Sequence, residues 1–355
     1  MFELLGIPPQ ALFGQLLLGL INGSFYAILS LGLAVIFGLL NIINFTHGAQ
    51  YMMGAFVAWM LLNWLGLGYW WAFILSPVIV GIVGVVLERN LIAQLASTDK
   101  VRSLLFLVAS LVVFVVSYGV LNWSMALSLF LSLAIAGGLG AAWAYYARDR
   151  IGVVEGHVDH LYGLLLTFGL ALIIQGLFRN EYGSSGLPYQ IPPQLTGGQN
   201  LGFMFLPNYR GWVVVASLVV CLATWFVIEK TRLGAYLRAA TENATLTQAF
   251  GINVPRLVTL TYGFGVGLAA FAGVLAAPIY SVNPTMGENL IIVVFAVVVI
   301  GGMGSILGAI VTGFGLGLIE GLTKVFYPEA SNTVIFIIMA IVLLIKPAGL
   351  FGRAA

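Results

Sequence analysis

Charge is what this chain has least of. Asp, Glu, Lys and Arg make up 7% of its 355 residues, against about 25% in an ordinary soluble domain. A soluble catalytic domain folded beside the rest is thereby excluded. The chain has one cysteine, Cys221, inside an apolar run, so a disulfide framework cannot be built. No stretch reads G-x-x-x-x-G-K-[ST], so there is no phosphate-cradling loop of that kind and any ATP must bind elsewhere. The Gly-x-Gly runs at 263–267 and 313–317 lack the strand–turn–helix setting and the following acid of a dinucleotide loop. The opening MFELLGIPPQ has no basic run and no A-x-A site. No cleaved signal peptide is expected, and the first apolar stretch is expected to direct insertion itself.

What remains is apolar: 61% of the residues are hydrophobic. The pattern predicts an all-α polytopic membrane protein. A crossing needs about 20 apolar residues. On that rule spans are expected near 12–40, 46–65, 68–87, 103–121, 124–146, 161–178, 211–228, 257–277, 289–303, 305–322 and 332–345. That makes about eleven transmembrane helices in a single transmembrane domain, with the two termini on opposite sides. The glycines within spans, Gly263, Gly265 and Gly267, then Gly301, Gly302, Gly304 and Gly308, then Gly313, Gly315, Gly317 and Gly321, give several small-xxx-small spacings through which helix backbones approach closely.

The longest segment unfit for lipid is TRLGAYLRAATENATLTQAFGINVPR, 231–256. Leu233, Tyr236, Leu237, Ala240, Leu246, Ala249 and Phe250 recur at near-helical spacing, and Gly251 falls where a helix would close. A short amphipathic helix is expected over Thr241–Gln248, started by Thr241 or Asn243 as cap. With this loop placed in the cytoplasm, alternation puts Arg89, Lys100, Arg102, Arg148, Arg150, Lys230, Arg232, Arg238, Arg256, Lys346 and Arg353 on the same side. Only Arg179, Arg210 and Lys324 fall on the other, which accounts for all 14 basic residues. That bias follows the positive-inside rule, with the N-terminus outside and the C-terminus inside. The exterior loops 179–210 and 278–288 are rich in turn residues. The first is expected to hold ordered turns or a short hairpin. Together they read either as a docking surface or as plain connectors.

Polar residues gather around the first two spans: Asn22, Ser24, Tyr26, Asn41, Asn44, Thr46, His47 and Gln50. Two readings fit. They line a path for a neutral or zwitterionic solute, which needs amides and hydroxyls rather than rings of one charge. Alternatively, they form a reverse turn whose amides satisfy helix ends. Glu155, His157, Asp159 and His160 have one metal-like spacing, yet beside Arg148 and Arg150 they read as a solvated loop. Glu320 and Lys324 stand in the stabilising i, i+4 order, so a local pair accounts for the acid. No catalytic set is found, and no cofactor or metal is expected.

Four stretches carry a resemblance: LINGSFYAILSLGLAVIFGLLNIINFTHGAQYMMGAF at 20–56, DHLYGLLLTFGLALIIQGLFR at 159–179, TRLGAYLRAATENATLTQAFGIN at 231–253, and PIYSVNPTMGENLIIVVFAVVVIGGMGSILGAI at 278–310. They resemble the branched-chain amino-acid permease family of bacterial ATP-binding cassette (ABC) importers, in particular the first of the two paired permeases. The resemblance implies a transport subunit of the inner membrane rather than an enzyme. It implies a second, related permease, two ABC ATPase subunits and a periplasmic solute-binding protein, and no nucleic-acid partner. Relatives import urea, short amides or aromatic acids as well. The family's coupling helix would fall on Arg238, Ala239, Ala240, Thr241, Glu242 and Asn243, through Gly251 and Ile252. Arg238 stands where the general importer motif has Glu. The chain departs from the family at about 97–157, where a two-span hairpin is expected as an insertion into a core of about nine spans. A stand-alone ion-coupled carrier and a membrane enzyme are the competing classes. The first wants buried charge at mid-membrane, and the second wants a paired acid, metal cluster or nucleophile.

Overall fold

The computed structural model describes residues 8–40, 44–88, 160–202 and 204–352, with a few positions between 112 and 135. Helices dominate: α1 (Pro9–Leu40), α2 (Thr46–Leu65), α3 (Tyr69–Leu87), α4 (His160–Tyr182), α5 (Asn208–Lys230), α6 (Arg232–Glu242), α7 (Ala244–Ala249), α8 (Val254–Tyr280), α9 (Glu288–Gly301), α10 (Ile306–Phe326) and α11 (Val334–Ile345). Six of them are long and apolar enough to cross a membrane: α1, α3, α4, α5, α8 and α10. Nine of the eleven expected spans coincide with described helices. The stretches 103–121 and 124–146, and most of the expected hairpin 97–157, lie outside the described residues.

Close backbone approach organises the bundle. Gly19 and Gly23 of α1 meet Gly313, Gly317 and Gly321 of α10. A Cβ on Gly19 would stand 2.4 Å from the Gly317 carbonyl, and one on Gly317 would stand 2.4 Å from Gly23 Cα. The expected small-xxx-small seam is thus a contact surface, read at every fourth residue. Gly315, between these positions, faces open space. α8 fills the centre, with Leu275, Ala276 and Ala277 fully buried. Gly273 touches the Tyr51 carbonyl of α2, and Gly265 touches the Gly32 carbonyl of α1. Outward faces stay apolar. Trp71, Ile82, Ile173, Val219 and Phe226 are each more than half exposed, which suits a surface that lipid solvates.

Two helices are short. α9 has 14 residues and α11 has 12, or about 21 Å and 18 Å, against a hydrocarbon core of about 30 Å. α9 begins beside the start of α2, where a Cβ on Gly287 would stand 2.1 Å from the Gly48 carbonyl. Its far end turns at Gly302 and Gly304, both with left-handed φ (101° and 80°). There Leu350 N and Phe351 N donate to the Ile300 and Gly301 carbonyls at 2.8 and 3.0 Å. These bonds satisfy helix-end acceptors that would otherwise be orphaned.

The 179–210 segment holds the expected hairpin, β1 (Gly198–Asn200) against β2 (Phe205–Pro207), antiparallel. It is joined to the 278–288 loop by a single bridge, with Leu187 N donating to Val282 O at 2.7 Å and Val282 N to Leu187 O at 2.9 Å.

Candidate functional site

α2 begins in the interior of the bundle. His47 Nε2 lies 3.0 Å from the Leu29 carbonyl, and Leu29 is well inside α1, eleven residues from its end at Leu40. A carbonyl only accepts, so Nε2 carries the proton there and Nδ1 presents a bare lone pair. Around this start Asn44 Oδ1 accepts from Thr46 N at 3.1 Å and from the Thr46 hydroxyl. Asn44 Nδ2 donates to the Tyr262 hydroxyl at 3.1 Å, and Gln50 Nε2 donates to Thr46 Oγ1 at 3.1 Å and to the Tyr262 hydroxyl at 3.3 Å. Asn44, Thr46, His47 and Gln50 are all buried. Four expected site residues therefore meet at the start of α2: Asn44, Thr46 and Gln50 gather around Tyr262 of α8, which their spacing does not point to, and His47 faces α1. His47 Nδ1 and Gln50 Oε1 have no hydrogen-bond partner among the described residues.

The other face of the same turn looks outward. Phe45, Gly48 and Ala49 line a cavity of about 320 Å³ together with Phe168 and Gln175 of α4 and Glu288 and Ile291 of α9. Phe45 N is held by Thr167 Oγ1 at 3.2 Å, and its ring packs on Phe168 and Phe295 at 5.9 and 6.4 Å. Leu172 and Ile292, on the rim, are about half exposed, so the cavity opens to the outside of the chain. Gln175 Nε2 ties α4 to α9 through Glu288 Oε1 at 2.5 Å and Pro284 O at 3.1 Å. Gln175 and Glu288 went unnoticed in the sequence. The available signal was an acid opening an apolar run, where the helix dipole favours it.

Asn22 and Ser24 sit elsewhere, and Asn41 lies outside the described residues. Ser24 is buried and donates to the Leu20 carbonyl of its own helix at 2.9 Å. Asn22 joins a second polar knot. Glu320 pairs with Lys324 at 2.5 Å, as the i, i+4 spacing predicts. It also accepts from Tyr26 at 2.7 Å and from Asn22 at 3.5 Å, while the Tyr280 hydroxyl donates to Asn22 Oδ1 at 3.1 Å. The local pair is therefore only part of the account. This buried carboxylate binds α1 to α10, and Asn22 carries the link on to Tyr280 of α8. Of the four residues with metal-like spacing, Glu155, His157 and Asp159 lie outside the described residues, as does the side chain of His160. Among the described residues no three His, Cys, Asp or Glu gather as a metal site.

The 231–256 loop departs from the expected form. In place of one helix over Thr241–Gln248 there are two, α6 and α7, broken at Asn243. Asn243 is extended and its Oδ1 accepts from Leu246 N at 2.8 Å, an N-cap. Thr241 belongs to the end of α6, its hydroxyl donating to the Arg238 carbonyl at 2.8 Å. A side chain that can bond its own backbone stops a helix more readily than spacing alone reveals. Gly251 closes α7 with φ 85° and N–H to Gln248 O at 2.8 Å. Arg238 turns back on α5, reaching the Ile228 carbonyl at 3.3 Å and Glu229 at 3.5 Å. Gly234 sits so tightly in this corner that a Cβ would stand 1.5 Å from the Ile228 carbonyl. Ala240 is buried and Ile252 half-buried, while Ala239, Thr241, Glu242, Asn243 and Gly251 are exposed. Leu246 is 56% and Phe250 79% exposed.

Comparison with known proteins sets these features in a lineage. The chain is 26% identical over 347 residues to the high-affinity branched-chain amino acid transport system permease protein LivH of Escherichia coli K12, covering 96% of this chain and 95% of the relative. It is 26% identical over 344 residues to the corresponding protein BraD of Pseudomonas aeruginosa, with the same coverage. It is also 26% identical over 235 residues to the ribose import permease protein RbsC of E. coli K12, covering 59% of this chain and 68% of the relative. No solved structure matches. The family described as branched-chain amino acid transport system / permease component matches residues 15–98 and 101–343. On that match and the multi-pass apolar bundle beneath it, the chain belongs to this family of transport permeases.

Proposed function

We propose that the chain is the transmembrane permease subunit of an ATP-driven ABC importer for branched-chain or related amino acids in the bacterial inner membrane. The observation that carries this reading is the α6–α7 arm. It separates two long apolar helices, α5 and α8, and offers Leu246 and Phe250 outside the bundle. An apolar pair this exposed on a polar segment calls for a protein partner. The partner is an ABC ATPase subunit, and Arg238, Ala239, Ala240, Thr241, Glu242, Asn243, Gly251 and Ile252 form the coupling element. Closure of the ATPase pair pulls the arm, rocks the helices fixed to it and opens the path alternately to each side.

In the same reading the chain crosses about eleven times, N-terminus periplasmic and C-terminus cytoplasmic, with 97–157 as a peripheral two-span hairpin. The concentration of Lys and Arg on one side supports this orientation. A second permease, of a different but related chain, completes the membrane part. The bridged loops 183–207 and 281–287 receive a periplasmic binding protein that supplies most of the affinity. Asn22, Ser24, Asn41, Asn44, Thr46, His47 and Gln50 form the polar side of the path. The packing of Asn44, Thr46 and Gln50 about Tyr262 makes them its rigid backing. Urea, short amides or aromatic acids are the alternative solutes for the same architecture.

The burial of Glu320 favours one second reading, a carrier driven by an ion gradient, because acids at such depth are functional by default. Uptake by the reconstituted complex separates the two. The importer stops when ATP is withheld and a proton gradient is kept. Uptake that persists under that condition ends the ABC reading.

A further inference from the structure

We infer that the cavity between α2, α4 and α9 is the station at which the permease holds one zwitterionic aliphatic amino acid in transit. The inference rests on the importer reading above and adds a site and a chemistry to it.

Depth is the first argument. Gly48 and Gly287 touch, and the residue before Gly48 faces Leu29, well inside α1. The cavity thus lies alongside the body of the bundle, where two helices start within it. Helices interrupted at such depth are how membrane carriers build solute sites.

Lining is the second. Phe45, Phe168, Leu172, Ile291 and Ile292 give an apolar wall. Glu288 is the one ionisable residue among the lining residues, and no Lys or Arg accompanies it. At about 320 Å³ the space is at the small end of ligand sites, which run from about 300 to 1,000 Å³. It suits a single amino acid with a branched or straight apolar side chain.

Charge is the third. Gln175 donates to Oε1 of Glu288 and fixes its orientation. Oε2 has no hydrogen-bond partner among the described residues and is free to receive an ammonium group. A solute carboxylate is then received at the start of α2 near Gly48, where the helix dipole is positive. A solute with only one pole would leave one end uncompensated. The polar cluster of Asn44, Thr46, Gln50 and Tyr262 lies behind the wall and holds the start of α2 in place.

The test uses the assembled importer in liposomes with radiolabelled L-leucine as the probe. Glu288→Gln is expected to cut ATP-dependent uptake at least about tenfold at unchanged assembly, as loss of one charge partner does, with Glu288→Asp retaining more. Leu172→Trp is expected to depress leucine uptake more than alanine uptake, because it fills the apolar wall. In a Cys221→Ser background, Ile292→Cys is expected to react with a water-soluble methanethiosulfonate reagent, and millimolar leucine under turnover is expected to slow that reaction.

Glu288→Gln transport within about twofold of wild type overturns the inference, as does an equal effect of Leu172→Trp on both solutes. An unreactive Ile292→Cys in an active complex also overturns it, by showing that lipid or the second permease covers this face. If Glu288→Gln fails to assemble, the cysteine protection decides. Wild-type uptake without ATP is a separate result and removes the importer reading itself.

Discussion

The α1–α10 seam and the α6–α7 arm are opposite solutions to holding a helix. Along the seam, backbones touch with no side chain between them, at Gly19, Gly23, Gly313, Gly317 and Gly321. The arm keeps its place through one tight corner at Gly234 and the Arg238 bonds to α5, and leaves Leu246 and Phe250 outside. In lipid no hydrophobic force drives helices together, so van der Waals contact and hydrogen bonds must do it. The seam therefore tolerates no added atom, whereas the arm has atoms to spare for a partner. The comparison separates residues that decide whether the bundle exists from residues that, in the proposed coupling role, decide whether it can be driven.

The seam gives the largest expected effect. Gly317→Leu puts a side chain where a Cβ alone would stand 2.4 Å from the α1 backbone. Overpacking usually costs about 1–3 kcal/mol. Here neither wall can yield, because both are backbone, and the loss should lie at or above that range. The expected result is little detergent-extractable folded protein. Gly315→Leu, two residues away and facing open space, should be extracted at wild-type yield. Equal yields for the two variants would remove the seam from the account.

Glu320 asks whether the seam is held by shape alone. Glu320→Ala strips the acceptor from Tyr26 and Asn22 and leaves Lys324 unpaired. Stranded buried donors cost about 1–3 kcal/mol each, so a clear fall in the temperature of thermal unfolding is expected. Glu320→Gln keeps an acceptor for Tyr26 and should fall less. It also bears on the ion-gradient reading, since a proton-carrying acid would lose gradient-driven uptake when made an amide. An unchanged unfolding temperature in Glu320→Ala would leave the seam purely steric.

On the arm, the paired change Leu246→Ala and Phe250→Ala should leave extraction and unfolding temperature alone, because both side chains are mostly exposed. Coupled uptake should drop about tenfold, as when hot-spot apolar residues of an interface are truncated. ATPase activity should persist without transport. If instead the variant unfolds early and transports normally once folded, the arm is structural.

The sequence made the seam legible because its signal is periodic: glycine at every fourth position has one economical use in lipid. The positions of the nine described span helices were legible too, since hydrophobicity and length alone set them. Two features were not. Asn243 was legible as a cap, and its bond to Leu246 N bears that out, but the split of the arm there into two helices was not, because one capping side chain breaks a helical pattern without disturbing it. The cavity depends on α2, α4 and α9 meeting. Gln175 and Glu288 are 113 positions apart, and only three-dimensional packing joins them. The polar residues Asn44, Thr46, His47 and Gln50 were visible as a group, but Tyr262, which Asn44 and Gln50 share as a partner, lies in another helix, and no local spacing points to it.

The break at Asn243 carries the smallest effect and the sharpest form of the comparison. Asn243→Ala removes a cap, which typically costs about 1 kcal/mol. α7 has six residues, too few to persist unless something fixes its start. In the seam a loss of that size would be absorbed by contacts on both sides. In the arm it falls on the one helix that presents Leu246, so fraying of α7 should lower coupled uptake several-fold while thermal unfolding of the bundle stays put. Amide exchange over residues 244–250 should quicken in the same variant, and Asn243→Asp, which keeps the acceptor, should restore both readouts. If exchange quickens and uptake does not change, the partner reads the side chains of the arm in any shape, and the geometry of the break is incidental.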